Sequence, residues 1–385
     1  MTLRVLHVLE AFAGGTERHL LDLIGHVDGV EHLVAAPPTH LGKTTKEAAD
    51  RARALGARVE IIPMRRSPGP HHAVAGIGSL HALIRRSRPD IVHGHSSIGG
   101  SVARLGARGT GVPVLYTPNG LARMRWALGV ERALAPLTDW LIAVSESERE
   151  FALRHRLAAP ERSCTIPNGI DVDPPEPLDP PLRERLGLPP EVPLVGCLGR
   201  LTWQKAPEVF VSACEIVVRQ RADAHFVLIG SGPEADGVRR CLDRGHLDGR
   251  FHWLPELADA AAAFGELDLY VLPSRFEGGP YTPLEAMRAG TPMILTDVAG
   301  NRDTVEDGVS GKLVPVEDHR SLGAAIIELL DDPQQRAVFA AAASERLRTD
   351  FDARVMGART AEVYASLSRA ESLGSSVQVL AHPLV

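Results

Sequence analysis

Residues 273–292 read PSRFEGGPYTPLEAMRAGTP. Two carboxylates, Glu277 and Glu285, stand in it with seven residues between them. The first follows an apolar run of strand length, Leu269 to Leu272. The second falls on a segment that Pro283 opens and Gly290 closes, which is helix punctuation. Between them, Gly278-Gly279-Pro280 offers a bare backbone that a ligand can approach closely. Backbone N–H groups running into a helix N-terminus favour an anion. Acidic groups on either side suit the hydroxyls of a sugar and a ribose. The stretch has the outline of a nucleotide-sugar site.

Working outward, short apolar strands alternate with longer amphipathic segments. Arg4–Leu9, Leu33–Ala36, Val59–Pro63, Asp90–His93, Val114–Thr117 and Trp140–Val144 read as strands, with helical patterns such as Thr16–His26 and Lys46–Leu55 between them. This β/α rhythm predicts a parallel, doubly wound sheet. Residues 173–193, DPPEPLDPPLRERLGLPPEVP, interrupt it, because proline stiffens the chain and cannot donate to a sheet ladder. The rhythm restarts at Leu194–Leu198 and continues through Phe226–Ile229, Phe251–Leu254, Leu269–Leu272, Met293–Thr296 and Lys312–Val314. The expectation is an α/β chain of two doubly wound, Rossmann-like domains, residues 1–172 and 194–349, with 173–193 as a proline-rich linker. A C-terminal helix at about residues 350–370 is free to pack back on the first domain, and 371–385 form a tail. Two such domains facing each other make a ligand cleft.

Composition narrows the function. At 385 residues the chain exceeds what one core usually covers. A formal net charge of −6 excludes a generic nucleic-acid binder. Cys164, Cys197, Cys214 and Cys241 are scattered without zinc spacing, which fits a reducing compartment. No apolar run approaches the ~20 residues that span a bilayer, and MTLRVLHVLE is a strand rather than an export signal. The expected location is the cytoplasm. Residues 121–135 mix Arg123, Arg125 and Arg132 with Leu121, Met124, Trp126 and Leu128. Such a segment can lie on the inner face of an anionic membrane, or be an ordinary helix with one wet face.

Other residues could carry chemistry. In Gly199-Arg200-Leu201-Thr202-Trp203-Gln204-Lys205, two cations five residues apart follow a strand and precede a helix. Arg200 brings a planar fork of donors and Lys205 a compact charge, a pair able to grip a diphosphate. Residues 226–233, FVLIGSGP, end a strand in a turn where Gly230 and Gly232 let backbone meet a nucleotide or simply make a βα turn. Leu254 closes the next strand, where backbone groups could meet a base edge or the strand could simply be buried in the sheet. Gly14 and Gly15 join the first strand to the first helix and can bring N–H groups near a phosphate. His93 and His95 lie two apart at a strand end, with no third metal ligand at suitable spacing. Asp171 and Asp173 match a D-x-D metal pattern but follow Pro167-Asn168-Gly169, where a turn is the better reading. No metal is expected.

Taken together, these elements resemble the retaining glycosyltransferases of family GT4, which have the GT-B architecture. The resemblance runs from about Val5 to Tyr364. It rests on E-x7-E (Glu277 to Glu285), GRLTWQK, VLIGSGPE, IPNGID and the Gly14-Gly15-x-Glu17 loop, in the family's order. It implies that Arg200 and Lys205 bind the donor diphosphate, that Glu277 contacts the transferred sugar and Glu285 the ribose. It implies that backbone groups of Gly278, Gly279, Pro280, Tyr281 and Thr282 line the sugar and phosphates. His95 matches a first-domain histidine near the reacting sugar. Gly278-Gly279-Pro280-Tyr281 replaces the commoner Gly-Phe-Gly and resembles the subset acting on lipid-linked saccharides, although Asn119 stands where that subset often has histidine. The implied reaction is metal-independent sugar transfer from a nucleoside-diphosphate-sugar co-substrate to an acceptor hydroxyl, with no further cofactor. The acceptor is a small molecule, a natural product or a lipid-linked saccharide. Front-face displacement is the implied route, since no carboxylate is an evident covalent nucleophile. Sugar-nucleotide epimerases, sugar phosphorylases and a non-catalytic sugar-nucleotide binder are the alternatives of similar architecture.

Overall fold

The computed structural model describes residues 2–10, 12, 14–40, 43–64, 70–121, 124–247 and 249–373. The chain divides into two compact units, Met1–Gly169 with Ala353–Val385, and Ile170–Asp352.

The first unit is built on seven strands: Leu3–Leu9 (β1), Val30–Ala36 (β2), Arg58–Ile61 (β3), Ile91–His95 (β4), Val114–Thr117 (β5), Trp140–Ala143 (β6) and Ser163–Thr165 (β7). Their order in the sheet is β3-β2-β1-β4-β5-β6-β7, and every pair is parallel. Helices cover both faces, so the central strands are buried on each side and read as continuous apolar runs. All five residues of β4 are buried, two of them histidines. The helix Ala353–Leu373 belongs to this unit. Met356, Val363, Tyr364 and Leu367 pack against Val5, Ile91, Leu115 and Trp140 of the sheet. Gly357 makes that packing possible: a Cβ there would sit 2.3 Å from the His26 carbonyl oxygen. The expected tail falls mostly outside the described residues.

The second unit repeats the plan with Leu194–Leu198 (β8), His225–Ile229 (β9), Phe251–Leu254 (β10), Leu269–Leu272 (β11), Met293–Thr296 (β12) and Lys312–Val314 (β13). The parallel order is β10-β9-β8-β11-β12-β13. The proline-rich stretch expected as a linker is instead part of this unit. Leu178 and Leu182 are buried with Ile170, Leu194 and Phe264. The Glu266 carboxylate accepts the N–H groups of Leu182 and Arg183, and Arg183 pairs with Asp268 at 2.8 Å. Leucines between the prolines give the segment an apolar face, and burial of each stabilises by roughly 1.5–3 kcal/mol.

In each sheet the strand order reverses beside its first strand, between β1 and β4 and between β8 and β11. The carboxyl ends of strands at such a reversal are the usual ligand position in doubly wound sheets. Apart from Gly230, Gly232 and Leu254, the predicted residues cluster at the ends of these same strands.

Candidate active site

In the second unit, the loops after β8 and β11 are sewn together. Arg275 N–H donates to the Gln204 carbonyl at 2.8 Å. Gln204 Nε2 donates to the Phe276 carbonyl at 3.0 Å and to Glu277 Oε2 at 3.3 Å. Lys205 Nζ meets Glu277 Oε1 at 2.6 Å, and Ser274 Oγ donates to the same oxygen at 2.6 Å. Glu277 is 9% exposed and the Lys205 side chain 23%, so the pair is largely withdrawn from solvent. Lys205 and Glu277, separated by 72 positions, are thus one group. Arg200 is exposed on the same loop as Lys205.

Downstream, Gly278 and Gly279 are half-buried and Pro280 is buried. The helix Tyr281–Ala289 follows, and Pro280 gives it no side-chain cap. Gly290 ends it at φ 70°, the left-handed cap that glycine adopts without strain. Glu285, half-buried, lies in the middle of this helix with half-buried Tyr281 and Thr282 one turn before it.

Gly230 and Gly232 have a packing reason of their own. A Cβ on Gly230 would lie 2.0 Å from the Gly199 carbonyl oxygen, and one on Gly232 would lie 2.3 Å from that of Leu201. The loop after β9 is pressed onto the loop that carries Arg200, and Leu201 N–H donates to the Ser231 carbonyl at 3.0 Å. The Leu254 carbonyl is taken by Gly230 N–H at 2.8 Å. Both glycines therefore shape the cation loop.

In the first unit, Gly14 (φ 65°) and Gly15 open the helix Gly14–His26 after β1. The Glu10 carboxylate accepts Gly99 N–H at 3.0 Å and the Ser96 hydroxyl, tying the end of β1 to the helix Ser97–Ala107 after β4.

His95, expected beside the reacting sugar, is fully buried. It lies in a cluster with His7, His19, His32 and His93, which are 0–6% exposed. Its ring centroid is 4.0 Å from that of His93 and 5.3 Å from that of His7. The sequence could not show this, because the partners come from β1, β2 and the first helix, and only their register brings them together. His7 pairs with His93 across β1 and β4, and His32 with Val5 across β1 and β2.

The hydrogen bonds fix the tautomers. His32 Nε2 lies 3.5 Å from the Val27 carbonyl, which can only accept, so that nitrogen carries the proton. His32 Nδ1 then accepts from His7 Nε2 at 2.9 Å, and His7 Nδ1 accepts from His95 Nε2 at 3.0 Å. The lone pair of the chain ends on His95 Nδ1, a buried atom without a partner among the described residues. His19 Nδ1 donates to Asn168 Oδ1 at 3.0 Å, leaving a similar lone pair on Nε2. Burial holds His7, His93 and His95 well below the usual imidazole range, and their imidazole neighbours add to it. Burial also brings His19 down to about 4, against the opposing hydrogen bond to Asn168. The set is neutral at physiological pH.

Ring nitrogens of His7, His93 and His95 lie within 4.8 Å of one another, so the third nitrogen ligand that sequence spacing hides is His7. Both nitrogens of His7 are engaged by histidines, and both of His93 by Tyr364 Oη (2.7 Å) and Thr117 Oγ1 (2.8 Å). The trio reads as a hydrogen-bonded cluster rather than a set of ligands aimed at an ion.

The basic, apolar segment after β5 forms the helix Arg125–Leu134. Its inner face holds Glu131, which pairs with buried Arg104 at 2.8 Å and accepts from Tyr116 Oη at 3.0 Å. Met124, just before the helix, and Trp126 and Val130 on it are exposed. Among the described residues no helix is long and apolar enough to cross a membrane.

The profile of the family described as "Glycosyl transferases group 1" matches residues 192–332, and that of "Glycosyltransferase Family 4" matches residues 13–174. A D-inositol 3-phosphate glycosyltransferase of Thermobispora bispora is 31% identical over 76% of this chain and 74% of its own length. A UDP-Gal:alpha-D-GlcNAc-diphosphoundecaprenol alpha-1,3-galactosyltransferase of Escherichia coli is 30% identical over 66% of this chain and 70% of its own. Among solved structures, HepE of Anabaena in complex with UDP and glucose superposes with a TM-score of 0.81 at 21% identity, covering 94% of this chain and 100% of that one. That likeness carries the fold.

Proposed function

The chain belongs to glycosyltransferase family 4 and is a glycosyltransferase of GT-B architecture, and on that premise we propose that it moves a sugar from a nucleoside-diphosphate-sugar to an acceptor hydroxyl with retention and without a metal ion. The observation that carries this reading is the Lys205–Glu277 contact of 2.6 Å at the switch point of the second sheet. Lys205 and Arg200 supply the positive charge for the diphosphate. Glu277, already anchored by Lys205 and Ser274, accepts from hydroxyls of the transferred sugar. Glu285, on the following helix, accepts from the ribose.

The chemistry follows from where charge develops. As the anomeric C–O bond breaks, negative charge gathers on the leaving diphosphate while the sugar becomes oxocarbenium-like. Lys205 and Arg200 oppose the first charge. The carboxylate of Glu277 steadies the second. The acceptor attacks from the face the diphosphate leaves, and a diphosphate oxygen takes its proton. The protein cations fill the place of a divalent ion. His95 closes β4 one residue before Ser96, whose hydroxyl reaches Glu10, and in this scheme it helps to orient the transferred sugar.

The relatives' names point to acceptors that are phosphorylated polyols or diphospholipid saccharides, which supports a polyhydroxylated ring as acceptor. Exposed Met124, Trp126 and Val130 support peripheral membrane contact, which co-sedimentation with anionic vesicles tests through Trp126→Ala. Turnover tests the catalytic reading. Lys205→Ala should lower kcat roughly 10²–10³-fold, as removal of one transition-state donor does. Unchanged turnover would remove Lys205 from the mechanism.

A further inference from the structure

Trp203 and Phe276 are 60% and 44% exposed, yet they stand on the two loops that meet at Lys205 and Glu277. Trp203 begins the short 3-10 turn Trp203–Lys205, and Phe276 immediately precedes Glu277. Their ring centroids are 6.2 Å apart and tilted by 47°. Both loops are pinned. The Arg275 guanidinium lies 4.8 Å over the Trp203 ring and donates to the Trp203 carbonyl at 2.5 Å. Glu208 and Glu317 hold that guanidinium, each at 2.6 Å. Gln204 fixes Phe276 through its carbonyl.

Single exposed apolar side chains are ordinary. An adjoining aromatic pair, with an arginine clamped behind it by two carboxylates, is a built surface. It presents apolar ring faces with charged and amide groups at the edge. That combination suits a pyranose, whose C–H face lies on the rings while its hydroxyls reach the exposed Glu317 carboxylate at the edge. The position selects which ring. Trp203 stands two residues before Lys205 and Phe276 immediately before Glu277, so a ring on this pair borders the transferred sugar that Glu277 would hold, where the acceptor must lie. We infer that Trp203 and Phe276 form a platform for a pyranose of the saccharide acceptor. This rests on the reading that Lys205 and Glu277 hold a nucleotide-sugar.

The test uses the full chain and defined probes. UDP, GDP and ADP are first titrated by calorimetry. With the nucleotide that binds held at saturation, methyl α-D-glucopyranoside, methyl α-D-mannopyranoside and methyl N-acetyl-α-D-glucosaminide are titrated by saturation-transfer NMR. At least one glycoside should bind the wild type, and Trp203→Ala and Phe276→Ala should each weaken it roughly tenfold. Nucleotide affinity should stay within about twofold, and Trp203→Phe should retain most of the glycoside binding. Glycoside binding that is absent in the wild type, or unchanged in both alanine variants, overturns the platform while leaving the donor site intact. An equal loss of nucleotide binding reassigns the rings to the donor and also overturns it. Failure of all three nucleotides to bind the wild type would instead overturn the donor reading, and the platform with it.

Discussion

Lowering the pH from 7.5 to 5.5 should destabilise the first unit through its buried histidines. His7, His19, His93 and His95 are buried with imidazoles held below the ordinary 6.5. Once the chain unfolds, each takes a proton below that value, so the unfolded state binds more protons and stability rises with pH. The stabilisation is complete above pH 6.5 and is lost as the pH falls toward the folded values, which for His19 is about 4. Between pH 7.5 and 5.5 one such histidine loses about 1.4 kcal/mol, so four lose about 5–6 kcal/mol. That is comparable to the whole stability of many domains. Glu17 and Glu148, whose carboxyls burial pushes up, act in the opposite direction and offset part of the loss. The assay is urea denaturation followed by circular dichroism at half-unit pH steps. The expected slope near pH 5.5 corresponds to roughly three to four protons taken up on unfolding, and His93→Gln should reduce it by about one. A flat profile from pH 7.5 to 5.5 would mean that these imidazoles are not neutral in the fold.

Two structural features yield further expectations. Glu131→Ala leaves the Arg104 guanidinium buried without its carboxylate and should destabilise by about 3–5 kcal/mol, read as a lower denaturation midpoint, whereas a change under about 1 kcal/mol would show that the pair is dispensable. Gly357→Ala drives a methyl toward the His26 carbonyl and should cost about 1–3 kcal/mol, visible as a fall in Tm, whereas an unchanged Tm would mean that the C-terminal helix does not press on that backbone.

Much of the fold was legible in the chain because strand and helix periods are local signals. The runs at Leu194–Leu198 and Leu269–Leu272 carry their burial in their own composition, and the order of strands and helices implies parallel sheets. The Lys205–Glu277 pair was approachable for the same reason, since each residue sits just after a readable strand. The proline-rich segment misled because proline density marks a boundary locally, while Leu178 and Leu182 act through a core that forms only in three dimensions. The histidines were hidden more deeply. His93 and His95 are visible as a pair, but His7, His19 and His32 join them through register and helix docking, which no spacing rule expresses. Trp203 and Phe276 sat unremarked inside recognised motifs, because exposure is decided by tertiary packing rather than by residue type.

The most direct test of the proposed chemistry is calorimetric titration of UDP, GDP and ADP into the wild type, Lys205→Ala and Glu277→Gln, with thermal unfolding in parallel. At a nucleotide concentration 100 times the dissociation constant, the wild type should gain about 2.7 kcal/mol of stability. Lys205→Ala should bind the same nucleotide at least tenfold more weakly, while Glu277→Gln keeps the nucleotide and loses discrimination between nucleotide-sugar and nucleotide. Equal binding of all three nucleotides to wild type and Lys205→Ala, or no binding to either, would contradict a diphosphate site built on the loops after β8 and β11.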